Sequence, residues 1–272
     1  MGHKLAVITV VYQNYEVLKD FFSSFRKQTN SNFKLFIVDL SDKKKVISNL
    51  DSRFLILNSF NKGYAHGVNQ GIKKAISQSF NKFCVINNDT YVQNDFIHKS
   101  LSSIINHESS LIGGKIYYAH GFEYHKKRYQ SSELGKVIWY ACGEIDWKNI
   151  NIKHIGVDEE DRGQFDTFKE TDFITGCLVC FDKKVIDKVG FWDEKYFLYY
   201  EDADYCVRAN RKGIKLYYDP SIIIWHKNAQ STGGSGSNLH QKYQKKNRMK
   251  FALKYAPIKT KLHILYNYLK GI

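Results

Sequence analysis

LAVITVVYQNYEVLKDFFSSF, residues 5–25, decides the fold. Its first seven residues are an apolar run rich in β-branched side chains, the pattern of a strand buried on both faces. Leu18, Phe21, Phe22 and Phe25 then fall at i, i+3, i+4 and i+7, one face of a helix, with Asn14 placed to cap it. A buried strand leading into an amphipathic helix is the first half of a parallel crossover unit. The pattern continues: FKLFIVDL (33–40) and RFLILNS (53–59) read as strands, and Val68, Ile72, Ala75 and Ile76 mark a helix that leads into the strand KFCVINND (82–89). The fold class is α/β with a nucleotide-binding layout. Ligands of such sheets collect beyond the carboxyl ends of the strands, which here carry TVVYQN, VDLSD and NNDT.

The 272 residues, 43% hydrophobic and 15% aromatic, suffice for a packed core, and no apolar run reaches eighteen residues. The chain starts with a short apolar run and no small-residue cleavage site, so a cytoplasmic location is expected. Five cysteines without framework spacing read as reduced thiols. Cys177 and Cys180 have C-x-x-C spacing, but strand alternation would point them to opposite faces, against a zinc or redox pair.

The net charge of +14 is mostly a property of the tail: after Asp219 there are ten Lys and Arg residues and no acid. No nucleic-acid motif or basic-aromatic platform accompanies it in the body, so no nucleic-acid partner is expected. STGGSGSN (231–238) reads as a flexible loop. Beyond it, Met249, Ala252, Leu253 and Ala256, then Ile258, Leu262, Leu265 and Leu269, give two amphipathic helices broken at Pro257. Packing of Met249, Leu253, Leu262, Leu265 and Leu269 on the body or a second subunit is the preferred reading, and contact with an anionic membrane is its alternative.

Three stretches carry candidate chemistry. NKGYAHGVNQG (61–71) places glycines where a strand gives way to a helix, suited to phosphate and equally to close helix packing. Asp89 follows a buried strand after two asparagines, a sound place for a hard cation or a plain Asn-Asn-Asp turn. YFLYYEDADYCVRANRKG (196–213) puts Glu201, Asp202 and Asp204 behind four aromatics, which suits a helix start as well as a catalytic acid. In the second half, VIWYACGEIDW, FITGCLVCF and IKLYYDPSIIIWH are strand candidates.

In this order, VITVVYQN, VDLSD, NKGYAHGVNQG, VINNDT, TDFITGCLV, VGFWDEKYFLYYEDADYCVRANRKG and IIWHKNAQSTGG resemble the family 2 glycosyltransferases over residues 5 to 250. The members most similar are rhamnosyltransferases and other sugar-chain-extending enzymes of bacterial cell surfaces. The resemblance implies a single Rossmann-like glycosyltransferase A-type domain with a mixed sheet over 1–238. Residues 1–119 would bind the nucleotide sugar, 120–238 the acceptor, and 239–272 would form the basic helices. It implies Asp202 as catalytic base with Glu201 beside it, and Asp204 and Arg208 holding the helix in place. Asp89 would be a ligand of Mn²⁺ or Mg²⁺, with His226 as an additional one. Asn87 and Asn88 would line the donor site, Asp39 would read the nucleotide base, and Thr9, Gly63 and Asn69 belong to the donor-binding segments. Asn87 departs from the family pattern, which has an acid there.

The resemblance further implies an inverting, metal-dependent transfer of a sugar from a UDP- or dTDP-sugar to a glycan hydroxyl, lipid-linked or protein-linked. The tail helices would serve a homo-oligomer or a peripheral contact at the inner face of the membrane. Two other readings share the fold. A nucleotidyltransferase would need a glycine-rich basic loop after the first strand, which VVYQNYE lacks. A non-catalytic scaffold would not need Asp89, Asp202 and His226 together.

Overall fold

The computed structural model describes residues 4–47, 50–228 and 238–270. β1 (Leu5–Val11) is buried throughout, and α1 (Leu18–Arg26) turns Leu18, Phe21, Phe22 and Phe25 into the core. Each such side chain contributes about 1.5–3 kcal/mol by leaving water. Asn14 does not cap this helix: Val17 holds the cap position, and no side chain bonds there. β2 (Phe33–Asp39), β3 (Phe54–Asn58), α2 (Tyr64–Ser77) and β4 (Lys82–Ile86) complete a parallel half-sheet in the order β3-β2-β1-β4.

The second half adds β5 (Thr90–Val92), α3 (Phe96–Asn106), β6 (Ser110–Tyr118), β7 (Ile138–Tyr140), β8 (Gly143–Asp146), β9 (Asn151–His154) and β10 (Lys169–Glu170). Then come β11 (Leu178–Asp182), α4 (Lys183–Val189), α5 (Glu201–Arg211), β12 (Lys215–His226), α6 (Asn238–Tyr255) and α7 (Ile258–Lys270). β11 runs antiparallel to both β4 and β6, so the sheet is mixed, in the order β10-β12-β6-β11-β4-β1-β2-β3. β5 attaches to β12 and β7 to β6, while β8 and β9 form a separate hairpin.

Two strand expectations are corrected and one strand went unread. VIWYACGEIDW is two strands, divided where Cys142 takes φ 101°. In FITGCLVCF strand begins only at Leu178, and β11 runs one residue past the stretch to Asp182. The central strand β6, SLIGGKIYY, has no counterpart in the sequence reading, because Gly113 and Gly114 interrupt its pattern. Gly114 is needed there, since a Cβ would lie 2.3 Å from the Ile222 carbonyl. That carbonyl belongs to a bulge in β12: Asp219 pairs with Gly114 and Ile223 with the next residue, Lys115, so residues 220–222 have no opposite number.

All five cysteines are free and buried. Cys180 faces Cys84 across the β11–β4 ladder, which leaves Cys177 without its C-x-x-C partner. The tail forms the two expected helices, and of the expected stripe Met249 is half-buried on the body. α6 buries Asn247, Phe251, Ala252 and Tyr255, and Ala256 just after it is buried too, while Leu253 on α6 and Leu262 and Leu265 on α7 are exposed on this chain. The side chain of Leu269, and the loop 231–238 apart from Asn238, lie outside the described residues.

Candidate active site

A cavity of 680 Å³ opens where the strands end, with Val10, Tyr12, Leu40 and Asn87–Asp89 on the side of the parallel half-sheet. Strand register builds its polar floor. β5 starts immediately after Asp89 and pairs with β12 so that Thr90 lies opposite His226. His226 Nε2 thereby comes 3.2 Å from Asp89 Oδ1, and the Lys227 N–H donates to the Asp89 carbonyl at 2.8 Å. Both side chains are buried and border the cavity.

The opposite wall is made by the aromatic-acid stretch. Tyr199 (φ 67°) and Tyr200 (φ 69°) are consecutive left-handed residues, each a conformation costing of order 1–3 kcal/mol for a bulky side chain. They reverse the chain so that the first turn of α5 presents Glu201 and Asp202 to the cavity. Asp202 Oδ2 accepts the Gly176 N–H and Oδ1 the Ala203 N–H, both at 2.8 Å. Burial raises the Asp202 pKa, and these backbone bonds oppose the rise. Glu201 is 5% exposed, and its Oε2 has no hydrogen-bond partner. Burial, then the neighbouring Asp202, push it well above the usual range. The two backbone N–H bonds favour the charged form of Asp202, whereas Glu201 Oε2 has no such partner. Asp204 points away: Oδ2 accepts Arg208 Nε at 2.7 Å, and Oδ1 accepts Lys254 Nζ at 2.6 Å and the Tyr255 hydroxyl at 2.7 Å.

Glu201, Asp202, Gly63, Asn87, Asn88, Asp89 and His226 thus meet around one cavity. Thr9, Asp39 and Asn69 do not border it. Thr9 is buried within β1. Asp39 accepts the Tyr15 hydroxyl at 2.6 Å and the Ser41 N–H at 2.9 Å beneath Leu40. Asn69 bonds the Trp192 backbone at both its N–H and its carbonyl, and donates to Glu194 at 2.8 Å, so its amide holds α2 against the 192–194 segment. Gly63 (φ 101°) is the glycine the site requires, because a Cβ would stand 2.4 Å from the Phe197 carbonyl, which accepts the Tyr64 N–H at 2.9 Å. Gly71 packs on Ile8 of β1, the helix-packing role.

Several lining residues escaped the sequence reading. The Tyr64 hydroxyl donates to Asn87 Oδ1 at 3.0 Å, so where the family pattern has an acid this chain has a neutral acceptor with its own donor. Trp139 stands edge-on to His226 at 4.5 Å and to His154 at 4.6 Å. Burial pushes the His154 pKa down to about 4. Tyr243 and Gln244 bring α6 into the wall.

A carboxylate and an imidazole nitrogen 3.2 Å apart at the edge of the cavity are a donor set that fits a divalent cation, whose remaining ligands would be oxygens from outside the chain. No group of three or more His, Cys, Asp or Glu side chains forms a metal cluster among the described residues.

The profile of the family described as Glycosyl transferase family 2 matches residues 6–190. The chain belongs to that family. The dTDP-rhamnosyl transferase RfbF of Shigella flexneri is 25% identical to this family 2 chain over 235 residues, 83% of the chain and 70% of the relative. The low-salt glycan biosynthesis hexosyltransferase Agl10 of Haloferax volcanii is 21% identical over 215 residues, 78% of the chain and 63% of the relative. The crystal structure of GalNAc-T7 with UDP, GalNAc and Mn²⁺ superposes with a TM-score of 0.66 at 15% identity. That match covers 89% of this chain and 46% of the other, and it establishes the glycosyltransferase A-type fold alone.

Proposed function

We propose that the protein moves a hexose or rhamnose from a nucleoside-diphosphate sugar, UDP- or dTDP-linked, to a hydroxyl of a growing glycan, with inversion and with a divalent cation. The observation that carries this reading is that a backbone-held carboxylate, Asp202, and a carboxylate–imidazole pair, Asp89 with His226, border one cavity. Asp202 accepts the acceptor hydroxyl's proton as that oxygen bonds the anomeric carbon and the bond to the diphosphate breaks. Displacement in a single step inverts the anomeric centre and leaves a nucleoside diphosphate. Asp89 and His226 would hold the cation, which when bound neutralises the departing diphosphate. Trp139 and Tyr243 offer flat faces to sugar rings at the wall. The names of the rhamnosyl- and hexosyltransferase relatives support the sugar class, and the UDP and Mn²⁺ of GalNAc-T7 support the donor and the ion.

The same reading suits a lipid-linked precursor of a bacterial surface glycan, met at the inner face of the membrane, with α7 as the contact. Ile258, Leu262, Leu265 and Tyr266 form an exposed stripe, and Lys259, Lys261 and Lys270 flank it. An anionic bilayer matches both features, whereas a second copy would set lysines against lysines. No helix among the described residues is long and apolar enough to cross a membrane. The test is a screen of UDP- and dTDP-sugars for release of nucleoside diphosphate, with and without EDTA. Turnover of no donor in Mn²⁺ or Mg²⁺ overturns the reading. Salt-sensitive pelleting with anionic liposomes, lost when the chain ends at Ala256, is expected of α7.

A further inference from the structure

Asn247 lies on α6, far from the acidic stretch in sequence and beyond residue 190, where the family match ends. Its side chain is 1% exposed. Nδ2 donates to the Leu198 carbonyl at 2.8 Å and to the Tyr199 carbonyl at 3.0 Å. An amide nitrogen carries two protons, and both are spent on this turn. The reversed amide would set an oxygen against two carbonyls, so the contact fixes the orientation.

The turn requires such holding. Tyr199 and Tyr200 adopt the left-handed conformation in succession, which persists only where the surroundings over-determine it. The Phe197 carbonyl is bound by the Tyr64 N–H of α2, the next two by Asn247, and the Tyr200 carbonyl by the Asp204 N–H of α5. Four consecutive carbonyls are thus tied to three helices. α6 adds ring contacts on the same turn: Tyr243 stacks on Phe197 at 5.1 Å and Phe251 lies 5.5 Å from Tyr200. An apolar side chain at 247 would fill the space and leave two buried carbonyls unbonded.

We propose that Asn247 is a positioning residue of the transfer reaction, fixing the 198–200 turn so that Asp202 and Glu201 address the cavity. This rests on the reading of Asp202 as the base. Asn247→Asp preserves shape and removes both donors, and Asn247→Gln returns an amide one carbon farther out. Each is assayed with the nucleotide sugar selected by the donor screen, and amide hydrogen exchange is followed by mass spectrometry in peptides spanning 196–204. Asn247→Asp is expected to lower kcat by about 100-fold with donor KM within about threefold, since displacing a catalytic group by an ångström has that scale of effect. Exchange quickens in 196–204 and is unchanged in β1–β4, and Asn247→Gln recovers part of the rate.

A kcat within about threefold of the parent overturns the proposal. So does a joint loss of kcat and donor affinity with faster exchange throughout the sheet, which would make Asn247 a stability residue only. If Asn247→Asp does not fold, the smaller neutral Asn247→Ser is judged by the same criteria. Should the parent turn over no nucleotide sugar, the functional reading fails by itself, and unaltered exchange at 196–204 in Asn247→Asp would separately refute the contact.

Discussion

The two walls of the cavity are built in opposite ways. On the proposed donor side, Asp89 and His226 are placed by ladder register, since His226 pairs with Thr90, the residue after Asp89. On the other wall, Asp202 follows two left-handed tyrosines and owes its place to bonds from Gly176 and to a turn tied down by α2 and α6. A register is shared among many backbone bonds and tolerates the loss of one side chain. A turn held by single contacts does not. The donor wall should therefore respond to mutation in binding, and the opposite wall in rate.

The largest expected effect tests that division directly. Asp202→Asn keeps size and removes basicity, so transfer should fall by roughly 100-fold or more while UDP or dTDP binding by calorimetry stays at the parental level. Retained turnover would transfer the base role to Glu201. Asp89→Ala should act in the converse way, weakening Mn²⁺-dependent nucleotide binding by roughly 10–100-fold, the scale seen when a metal site loses its support. Binding that ignores both this substitution and EDTA would remove the cation from the donor wall.

Gly63→Ala probes the point where the walls meet. Its φ of 101° and the 2.4 Å approach of a Cβ to the Phe197 carbonyl predict a stability loss of about 1–3 kcal/mol, read as a lower melting temperature. An unchanged melting temperature would mean the two walls are not packed at this joint. The smallest effect concerns Glu201. Because burial raises its pKa, the native state binds more protons than the unfolded chain from about pH 4.3 upward, so its ionisation erodes stability as pH rises through that window. Glu201→Gln should gain on the parent in denaturant midpoint as pH increases from 5 to 8. A constant difference would show that Glu201 is already ionised.

Legibility in the sequence divides along the same line. β1 to β4 and Asp89 were readable because an apolar run and the acid that ends it are local signals. Asp202 stood out through its aromatic-acid block. β6 was missed because Gly113 and Gly114, required by the Ile222 carbonyl, erase its hydrophobic pattern. Asn69 sits in a donor-type motif yet spends its amide on Trp192 and Glu194, contacts more than 120 residues away that no spacing reveals. Asn247 gave no signal at all, since a polar residue in a lysine-rich helix reads as solvated. The apolar periodicity of the tail was visible, but which stripe is covered depends on the surface α6 meets.

The three-residue bulge of β12 gives the strand two independently phased halves, 215–219 and 223–226. In a strand, losing one residue turns every later side chain to the other face. A single deletion within 223–225 would therefore carry His226 out of the cavity with its identity intact, while one at the Pro220–Ser221 corner can be absorbed where no partner residue is opposite. Length variation along this strand should accordingly concentrate at that corner, which acts as an expansion joint between the frame of the sheet and the residue it delivers.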